Sequence, residues 1–537
     1  LIDDSLYVVS EPGSAEPLAI VREVLNPHGL TIRSESGVHL VVRLDREVDG
    51  DSDKAESAGM AIESSRPEIE TISVSASRYE ISRDTSTSRF SLDQRSIQTM
   101  PDIGEDPLRA VQRLPGAAAG GASAKTYLRG GDDDEIGIVL NGQKLFDPFH
   151  LRDYLSVFSA IDSRAIEGVE VYTGGFPVRY GNRMSGMVLM ETLEPLNERH
   201  TEIGVSVYNT SLLHAGREQS TQWLFSARRG NLDLVLDPKF GSPSYYDVFG
   251  ELAWQANPDM KLSLNALFAD DRIELILESD PEELERAVSR TMNAELWLAI
   301  DNRWSETLSS KTVLSTTWFD NLRRGTLDDE ERIVVWGFDE SRIAQLGFRQ
   351  DFSYHPSDRH ILQWGLQVRY GSADYTYRNS AEYFGLQALF EGRDEPLAAT
   401  TTASPEGASY ALYFADRRKL SPTMTFEWGL RWDDQTYTNL SGDTQLSPRF
   451  SVLKSLGERT ELRLSWGRYH QAQEINELQV EDGISNFWPA QEADHLILGV
   501  QHLFNEQYSM RVELFDKNLR EVQPRFENLY NPLGLIP

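Results

Sequence analysis

The chain has 537 residues and no cysteine, and its net charge is −32, with 84 acidic against 52 basic side chains. Without cysteine it can hold no disulfide, thiol nucleophile or cysteine-ligated metal, and the excess of negative charge argues against binding to nucleic-acid phosphates. No run of eighteen apolar residues occurs, which excludes a helical membrane protein but not a β-barrel, whose strands alternate polar and apolar residues.

The first 48 residues predict a small αβ module. Pro17 begins a stretch with apolar residues at helical spacing, and two short alternating strands follow at residues 30–32 and 38–42. Residues 49–69 are rich in Asp, Ser, Glu and Ala and contain almost no large apolar side chain. Such a segment cannot bury enough surface to fold, so a flexible linker is expected there.

A short β-prone segment at residues 70–76 follows the linker directly. It begins with Glu70, Thr71, Ile72, Ser73 and Val74. A strand held on a flexible tether can pair edge-on with a strand of another protein through backbone hydrogen bonds. The alternative is that this segment is simply the first strand of the domain that follows.

Residues 77–194 predict a mixed α/β domain. A helix is expected to begin at Asp106-Pro107, and Asn141-Gly142 is the pair that best tolerates the positive φ angles of a tight hairpin turn. A second helical element is expected at residues 156–165. The expected strands span residues 136–140, 143–145, 169–172 and 187–190.

Five motifs in this domain resemble, in order and spacing, the plug domain of TonB-dependent outer-membrane receptors. They are Arg129-Gly130, Val139-Leu140-Asn141-Gly142, Ile166-Glu167-Gly168-Val169-Glu170-Val171, Arg179-Tyr180-Gly181 and Ser185-Gly186-Met187-Val188. The resemblance implies that residues 70–76 contain the TonB box, which a TonB-type energy-transducing protein binds. The segment at residues 1–48 similarly resembles part of a periplasmic module found in some of these receptors and in secretins; a generic αβ domain and a carboxypeptidase-regulatory-like domain are the alternatives.

The resemblance also implies functional residues inside the plug. Two apical loops are expected to face a ligand through Gly120, Gly121, Ser123, Lys125, Phe146, Phe149, His150 and Tyr154. The family often carries arginine at the positions of Gly168 and Thr173, where this chain has none. Arg129 is therefore the best remaining candidate for the ion pair that locks the plug to the barrel.

Neither a metal site nor a cofactor site is predicted. His150 lies between Asp147 and Asp153, but this spacing matches no closed zinc site. The acidic run at residues 132–135 lacks the glycine and the terminal glutamate of a calcium loop. No Ser-His-Asp order, phosphate-cradling loop or pair of catalytic carboxylates is recognisable, so the chain is not expected to be an enzyme.

Residues 195–537 predict strands of a transmembrane β-barrel. Apolar and polar residues alternate over long segments separated by polar turns, as expected where one face meets lipid and the other meets water. Trp364, Leu366, Trp428 and Leu464 are expected to face lipid, and Gln363, Gln367, Glu427 and Arg463 to face the lumen. Short turns such as the one after Ser421 alternate with longer connections such as residues 471–492.

The expected fold is mainly β: a large antiparallel barrel around a small α/β plug, preceded by the αβ periplasmic module. About fourteen strands can be counted, whereas a plugged barrel of this type needs about twenty-two. The chain is therefore expected to be cut off inside the barrel, because open edges cannot exist in lipid.

The resemblance implies active uptake of a scarce or large solute across the outer membrane, energised through the TonB complex. Siderophores, cobalamin, oligosaccharides and peptides are all open as cargo. The expected partners are a TonB-type protein, the ligand, outer-membrane lipid and a periplasmic signalling partner or surface protein. An outer-membrane scaffold or export partner with the same architecture is the main alternative, and an extracellular β-sandwich adhesin is a weaker one.

Overall fold

The computed structural model describes residues 30–35, 38–43, 88–100, 104, 106–153, 155–195, 199–236, 242–280, 283–329, 332–385, 397–438, 444–505 and 508–524. The chain divides into two compact units, Leu1–Glu68 and Ile69–Pro537. In the first unit, strands β1 (Leu30–Glu35) and β2 (Val38–Arg43) form the antiparallel hairpin that the alternation predicts. The helix expected after Pro17, the linker at residues 49–69 and the segment at residues 70–76 lie outside the described residues.

The second unit begins with a small mixed α/β region, here called the plug segment (residues 88–195). The strands of its central sheet are β3 (Arg89–Asp93), β6 (Ile136–Leu140), β7 (Gln143–Lys144), β10 (Ile166–Tyr172) and β11 (Gly186–Thr192). Their order in the sheet is β3-β10-β11-β6-β7, and among these pairs only β11 and β6 run parallel. Two ribbons and two helices complete it: β4 (Ala117–Ala119) with β5 (Thr126–Leu128), β8 (Phe149–His150) with β9 (Phe158–Ser159), α1 (Gln94–Thr99) and α2 (Pro107–Val111).

Local sequence signals account for several of these elements. The Asp106 carboxylate accepts hydrogen bonds from the backbone N–H groups of Leu108 and Arg109, so it caps α2 at the predicted position. Asn141 and Gly142 adopt φ angles of 50° and 91°, as the tight turn between β6 and β7 requires. The four strands expected in this region are confirmed, since the structure has strands at residues 136–140, 143–144, 166–172 and 186–192.

The helical element expected at residues 156–165 is wrong. Leu155 and Ser156 adopt φ angles of 67° and 48°, which end any right-handed helix. Phe158 then pairs with His150 in the ribbon of β8 and β9, and only a single 3₁₀ turn, Ser163–Ala165, follows. Pairing across the ribbon thus outweighs the local helical tendency of this segment.

A large antiparallel sheet follows the plug segment. Its sixteen described strands are β12 (Arg199–Val205), β13 (Asn209–Glu218), β14 (Thr221–Gly230), β15 (Ser244–Asn257), β16 (Met260–Asp280), β17 (Glu283–Arg303), β18 (Leu308–Asp329), β19 (Ile333–Ser357), β20 (His360–Tyr383), β21 (Leu397–Ala403), β22 (Glu406–Ser421), β23 (Met424–Gln435), β24 (Gln445–Ser455), β25 (Thr460–Gln471), β26 (Gln491–Leu503) and β27 (Ser509–Arg520). A short helix, α3 (Leu232–Val235), lies between β14 and β15.

Successive strands of this sheet are neighbours, with one interruption. Both β21 and β22 pair with β20, over successive lengths of it, and Pro405 lies between them. Proline has no backbone N–H and cannot donate a hydrogen bond to the neighbouring strand, so the strand is interrupted at Pro405. The described residues therefore contain two strands more than the about fourteen that can be counted from the sequence.

The two faces of the large sheet alternate as predicted. In β23, Glu427 and Arg431 are buried, whereas Trp428 is 42% exposed. Leu366 and Leu464 are likewise exposed on the outer face, and Trp364 stacks there on Phe352 with ring centroids 5.4 Å apart. Among the described residues, no helix is long and apolar enough to cross a membrane.

Candidate functional site

The plug segment contacts the inner face of the large sheet through buried charges, one of which is Arg129. Its guanidinium pairs with the carboxylate of Glu513 in β27 and donates to Ser88 Oγ at 2.7 Å. It also lies 4.7 Å from the centre of the Phe515 ring, and its side chain is only 7% exposed. The arginine singled out from the sequence therefore lies opposite a carboxylate of the large sheet; its function as a lock stays a prediction.

A second charged contact centres on His150. Its Nδ1 lies 2.6 Å from Asp271 Oδ1 and its Nε2 lies 2.9 Å from Asp247 Oδ2, on strands β16 and β15. Burial alone would lower the pKa of His150, but the two carboxylates outweigh it and raise the pKa to about 9. The imidazole is therefore protonated at neutral pH and buried between the two aspartates, stacked on Tyr245 with ring centroids 4.2 Å apart.

The prediction that His150 faces a ligand is wrong. Its side chain is fully buried, and both ring nitrogens are occupied by carboxylates of the large sheet. Those aspartates lie about a hundred residues away in sequence, so nothing local to His150 indicated them. No group of three or more His, Asp or Glu in the described parts of the chain has the arrangement of a metal site.

Other contacts between the plug segment and the large sheet were not predicted. Lys517 Nζ lies 2.7 Å from Glu135 Oε2. Arg449 Nη1 donates to the backbone carbonyls of Phe176, Pro177 and Tyr180 at 3.0, 2.8 and 2.9 Å. An arginine that satisfies carbonyls in a glycine- and proline-rich turn fixes that turn without needing a carboxylate.

The plug segment, the large sheet and residues 472–490 enclose an upper cavity of about 430 Å³. It lies at the end of the sheet where β25 is connected to β26, opposite the turns at residues 258–259 and 304–307. Twelve charged side chains line it: Lys125, Asp133, Asp134, Lys144, Asp147, Arg152, Arg183, Arg323, Asp339, Glu474, Glu477 and Glu481. The Asp134 side chain is exposed to this cavity. Partial desolvation by the surrounding protein, together with the negative charge of Glu477, raises the pKa of Asp134 to about 6.

The residues expected in the apical loops have different environments. Lys125, Phe146 and Phe149 line the upper cavity. Gly120 and Gly121 are exposed in the connection from β4 to β5, but they are not among its lining residues. Ser123 was expected to face a ligand. It is buried instead, and its hydroxyl accepts a hydrogen bond from the backbone N–H of Lys125 at 3.1 Å. Tyr154 lies outside the described residues.

Residues 472–490 connect β25 to β26 and fold inwards over the plug segment. Ile475, Leu478 and Phe487 are buried in an apolar cluster that also contains Phe146 of the plug segment. The hydroxyl of Tyr375 in β20 donates to the Ile475 carbonyl at 2.7 Å. This connection therefore forms a roof over the upper cavity that packs against both the plug segment and the large sheet.

A lower cavity of about 340 Å³ lies on the opposite side of the plug segment, near the turns at residues 258–259 and 304–307. Glu167, Glu191 and Thr192 line it from the plug segment, and Lys261 and Lys311 line it from the large sheet. Burial raises the pKa of Glu191, although Lys311 opposes this shift. Cavities thus adjoin the plug segment on both of its ends.

Two family models match the chain. Residues 82–188 match the model described as TonB-dependent receptor plug domain. Residues 220–528, more than half of the chain, match the model described as TonB-dependent receptor-like β-barrel. No curated protein matches the sequence.

Solved structures share the fold at low sequence identity. The siderophore receptor PirA from Acinetobacter baumannii is 15% identical, with a TM-score of 0.60 over 81% of this chain and 71% of that one. PirA from Pseudomonas aeruginosa is 16% identical, with a TM-score of 0.55 over 80% and 74%. The RagAB peptide importer is 10% identical, with a TM-score of 0.57 over 81% and 67%.

Proposed function

The chain belongs to the TonB-dependent outer-membrane receptors, and from this premise we propose that it actively imports a scarce or large solute, energised by a TonB-type protein. The family consists of transporters, not enzymes. The cargo classes that fit are the siderophores and peptides of the similar structures, together with cobalamin and oligosaccharides. The Lys125, Phe146 and Phe149 side chains at the upper cavity are the proposed ligand contacts.

The observation that carries this proposal is the plug segment seated between two cavities. The upper cavity can receive a solute beneath residues 472–490, and the lower cavity lies near the turns at residues 258–259 and 304–307. Buried ion pairs at Arg129, Glu135 and His150 join the plug segment to the large sheet and, in this proposal, hold it in place. Passage from one cavity to the other therefore requires that some of these contacts break, which is work that an external energy source supplies.

The proposed route for that energy is the segment at residues 70–76. Glu70, Thr71, Ile72, Ser73 and Val74 would add a strand to the edge of a sheet in the TonB-type protein. In this proposal the linker predicted at residues 49–69 would give the segment reach, and residues 1–48 would be the predicted periplasmic module, which would signal ligand binding. Tension on the segment would be transmitted to β3, the next described strand along the chain.

A proline in the partner segment tests the proposal. Ile72→Pro removes a backbone donor and fixes φ, so strand addition should fail while the distant sheets still fold. We expect affinity for the purified periplasmic domain of the TonB-type partner to fall at least about tenfold. The uptake assay offers cells ⁵⁵Fe-loaded catecholate siderophores, ⁵⁵Fe-loaded hydroxamate siderophores and a radiolabelled peptide mixture. Whichever of these the wild-type receptor imports should no longer be imported by the Ile72→Pro variant.

Ile62→Pro, the same change within the linker, is the matched control and should leave both readouts unchanged. Partner binding that survives Ile72→Pro would reject residues 70–74 as the TonB box. Partner binding that needs Ile72 without any partner-dependent uptake would instead favour a scaffold or export function.

A further inference from the structure

One carboxylate of residues 472–490 occupies a strongly basic position on the plug segment. Glu474 Oε1 accepts from Lys144 Nζ and from Asn182 Nδ2, the latter at 3.1 Å. The same oxygen lies 3.4 Å from Arg369 Nη1 and 3.6 Å from Arg183 Nη1. Three cations and one amide thus converge on a single oxygen atom whose side chain is 13% exposed.

We propose that this position is an anion site for a carboxylate of the imported solute, which Glu474 fills as an internal substitute in the absence of that solute. The inference rests on the proposed function and narrows its cargo to compounds with more than one carboxylate. A ligand would bind by exchanging its carboxylate for that of Glu474. Asn182, Arg183 and Lys144 would hold it from the plug segment, and Arg369 from β20.

The site extends beyond the atoms that Glu474 uses. A cavity of about 80 Å³ adjoins it and is lined by five basic side chains but only three acidic ones, although the whole chain carries a charge of −32. Arg179 lines this cavity and stacks on Tyr180 at 4.8 Å. Within the described residues, no hydrogen-bond partner is present for the buried Nε of Arg179. A ligand with a second carboxylate would find cations there that Glu474 does not reach.

The protonation of Lys144 agrees with an excess of positive charge. Burial is the largest effect on its pKa, the neighbouring Arg183 adds to it, and together with the effect of Arg369 they outweigh Glu474 and lower the pKa to about 7. The exchange leaves one carboxylate beside Lys144, and the second carboxylate of the ligand adds a further anion nearby, which would favour the charged form of Lys144. Binding of a polycarboxylate should therefore be accompanied by proton uptake at pH 7 to 8.

The exchange would also release part of the roof. Asn182 binds residues 472–490 twice, since its Oδ1 accepts from the Ala472 backbone N–H at 2.7 Å and its Nδ2 donates to Glu474. Glu477 of the same connection pairs with Arg183 at 3.5 Å. A ligand carboxylate at this position removes the Glu474 contact and weakens the hold of the plug segment on residues 472–477.

Citrate, a small tricarboxylate, is the probe for this site. We expect calorimetry on the purified full chain in detergent to show citrate binding that becomes at least about tenfold tighter in Glu474→Gln, because the internal competitor is lost while the side-chain shape is kept. Lys144→Gln and Arg369→Gln should weaken binding at least about tenfold. Glu340→Gln removes a carboxylate paired with Arg342 on the outer face and is the matched control, with unchanged affinity.

Roof movement gives a second readout that does not depend on the Glu474 variant. The chain has no cysteine, so a spin label on Ser485→Cys reports only on residues 472–490. Citrate should narrow its spectrum, and glycerol, an uncharged polyol, should not. Citrate affinity that is unchanged or weaker in Glu474→Gln overturns the proposal, as does equally tight binding of inorganic sulfate. These assays need no TonB-type partner. The anion-site proposal can therefore fail while partner-dependent uptake is still observed, and it can hold when partner-dependent uptake is not observed.

Discussion

Arg129 and His150 both place a positive charge against carboxylates of the large sheet, but their neighbours differ. Arg129 shares Glu513 with Arg511, so this carboxylate keeps a cation when Arg129 is lost. His150 lies between Asp247 and Asp271, of which Asp247 also accepts a hydrogen bond from Arg228 at 3.0 Å. The two residues therefore give different tests of how the plug segment is held.

Arg129→Ala should loosen the plug segment without unfolding the large sheet. Truncating one member of a buried ion pair typically costs about 3 to 5 kcal/mol, but Arg511 remains bonded to Glu513, so we expect about 2 kcal/mol. The measurement is vancomycin leakage into whole cells, which should increase. Arg272→Ala removes an exposed arginine paired with Glu274 and should leave leakage at the wild-type rate. Equal leakage in the two variants would leave Arg129 without a locking function.

His150 should make plug stability depend on pH. Its pKa in the folded protein, about 9, lies above the ordinary value of 6.5. The stabilisation is therefore complete below about pH 6.5 and is lost as the pH rises through 9. We expect the urea midpoint of plug unfolding to fall over this range, and the fall to be smaller in His150→Gln. His200→Gln, at an exposed histidine beside Glu202, should retain the wild-type profile; a wild-type midpoint that does not fall by pH 9 contradicts the assignment.

At the scale of a strand, β20 offers neighbouring positions on opposite faces. Leu366 is exposed on the outer face, in the middle of an apolar stretch that runs from Leu362 to Tyr370. Gln363 lies on the inner face, where it lines the lower cavity. Only the outer position can contact the hydrocarbon of the membrane.

Leu366→Arg should therefore destabilise the folded protein in lipid vesicles by about 2 to 4 kcal/mol, the cost of an arginine near the bilayer midplane. Gln363→Arg adds the same side chain on the side of the lower cavity and should cost less than about 1 kcal/mol. Urea titration of vesicle-reconstituted protein measures both. If the order of the two costs is reversed, the assignment of the faces is incorrect.

At the scale of the molecule, the sequence predicted what depends on local pattern. Alternation identified the strands of the large sheet and their outer faces, as at Trp428, and capping by Asp106 identified α2. Contacts between distant segments do not follow from a local pattern. Arg129 was found through a family motif, whereas the partners of His150 and of Lys144 lie on segments more than ninety residues away and leave no periodic signal.

The described strands of the large sheet differ in length, and the longest extend beyond the membrane. Strands β16, β17, β18, β19 and β20 have 21 to 25 residues, whereas β25 has 12. About ten residues suffice to cross the hydrocarbon, and on β19 the outer apolar stretch ends where Arg342 and Glu340 begin. The remaining ten or so residues of β19 rise roughly 20 Å above the lipid at a tilt of about 45°.

Within the described residues, the long strands β16–β20 and the shorter strands β22–β27 therefore differ in how far they extend beyond the lipid, and residues 472–490 extend over the upper cavity from the shorter strands. A bulky solute, such as one still attached to a carrier protein, meets less of the described sheet on the side of β22–β27, so the two sides of the receptor differ as approaches in the plane of the cell surface.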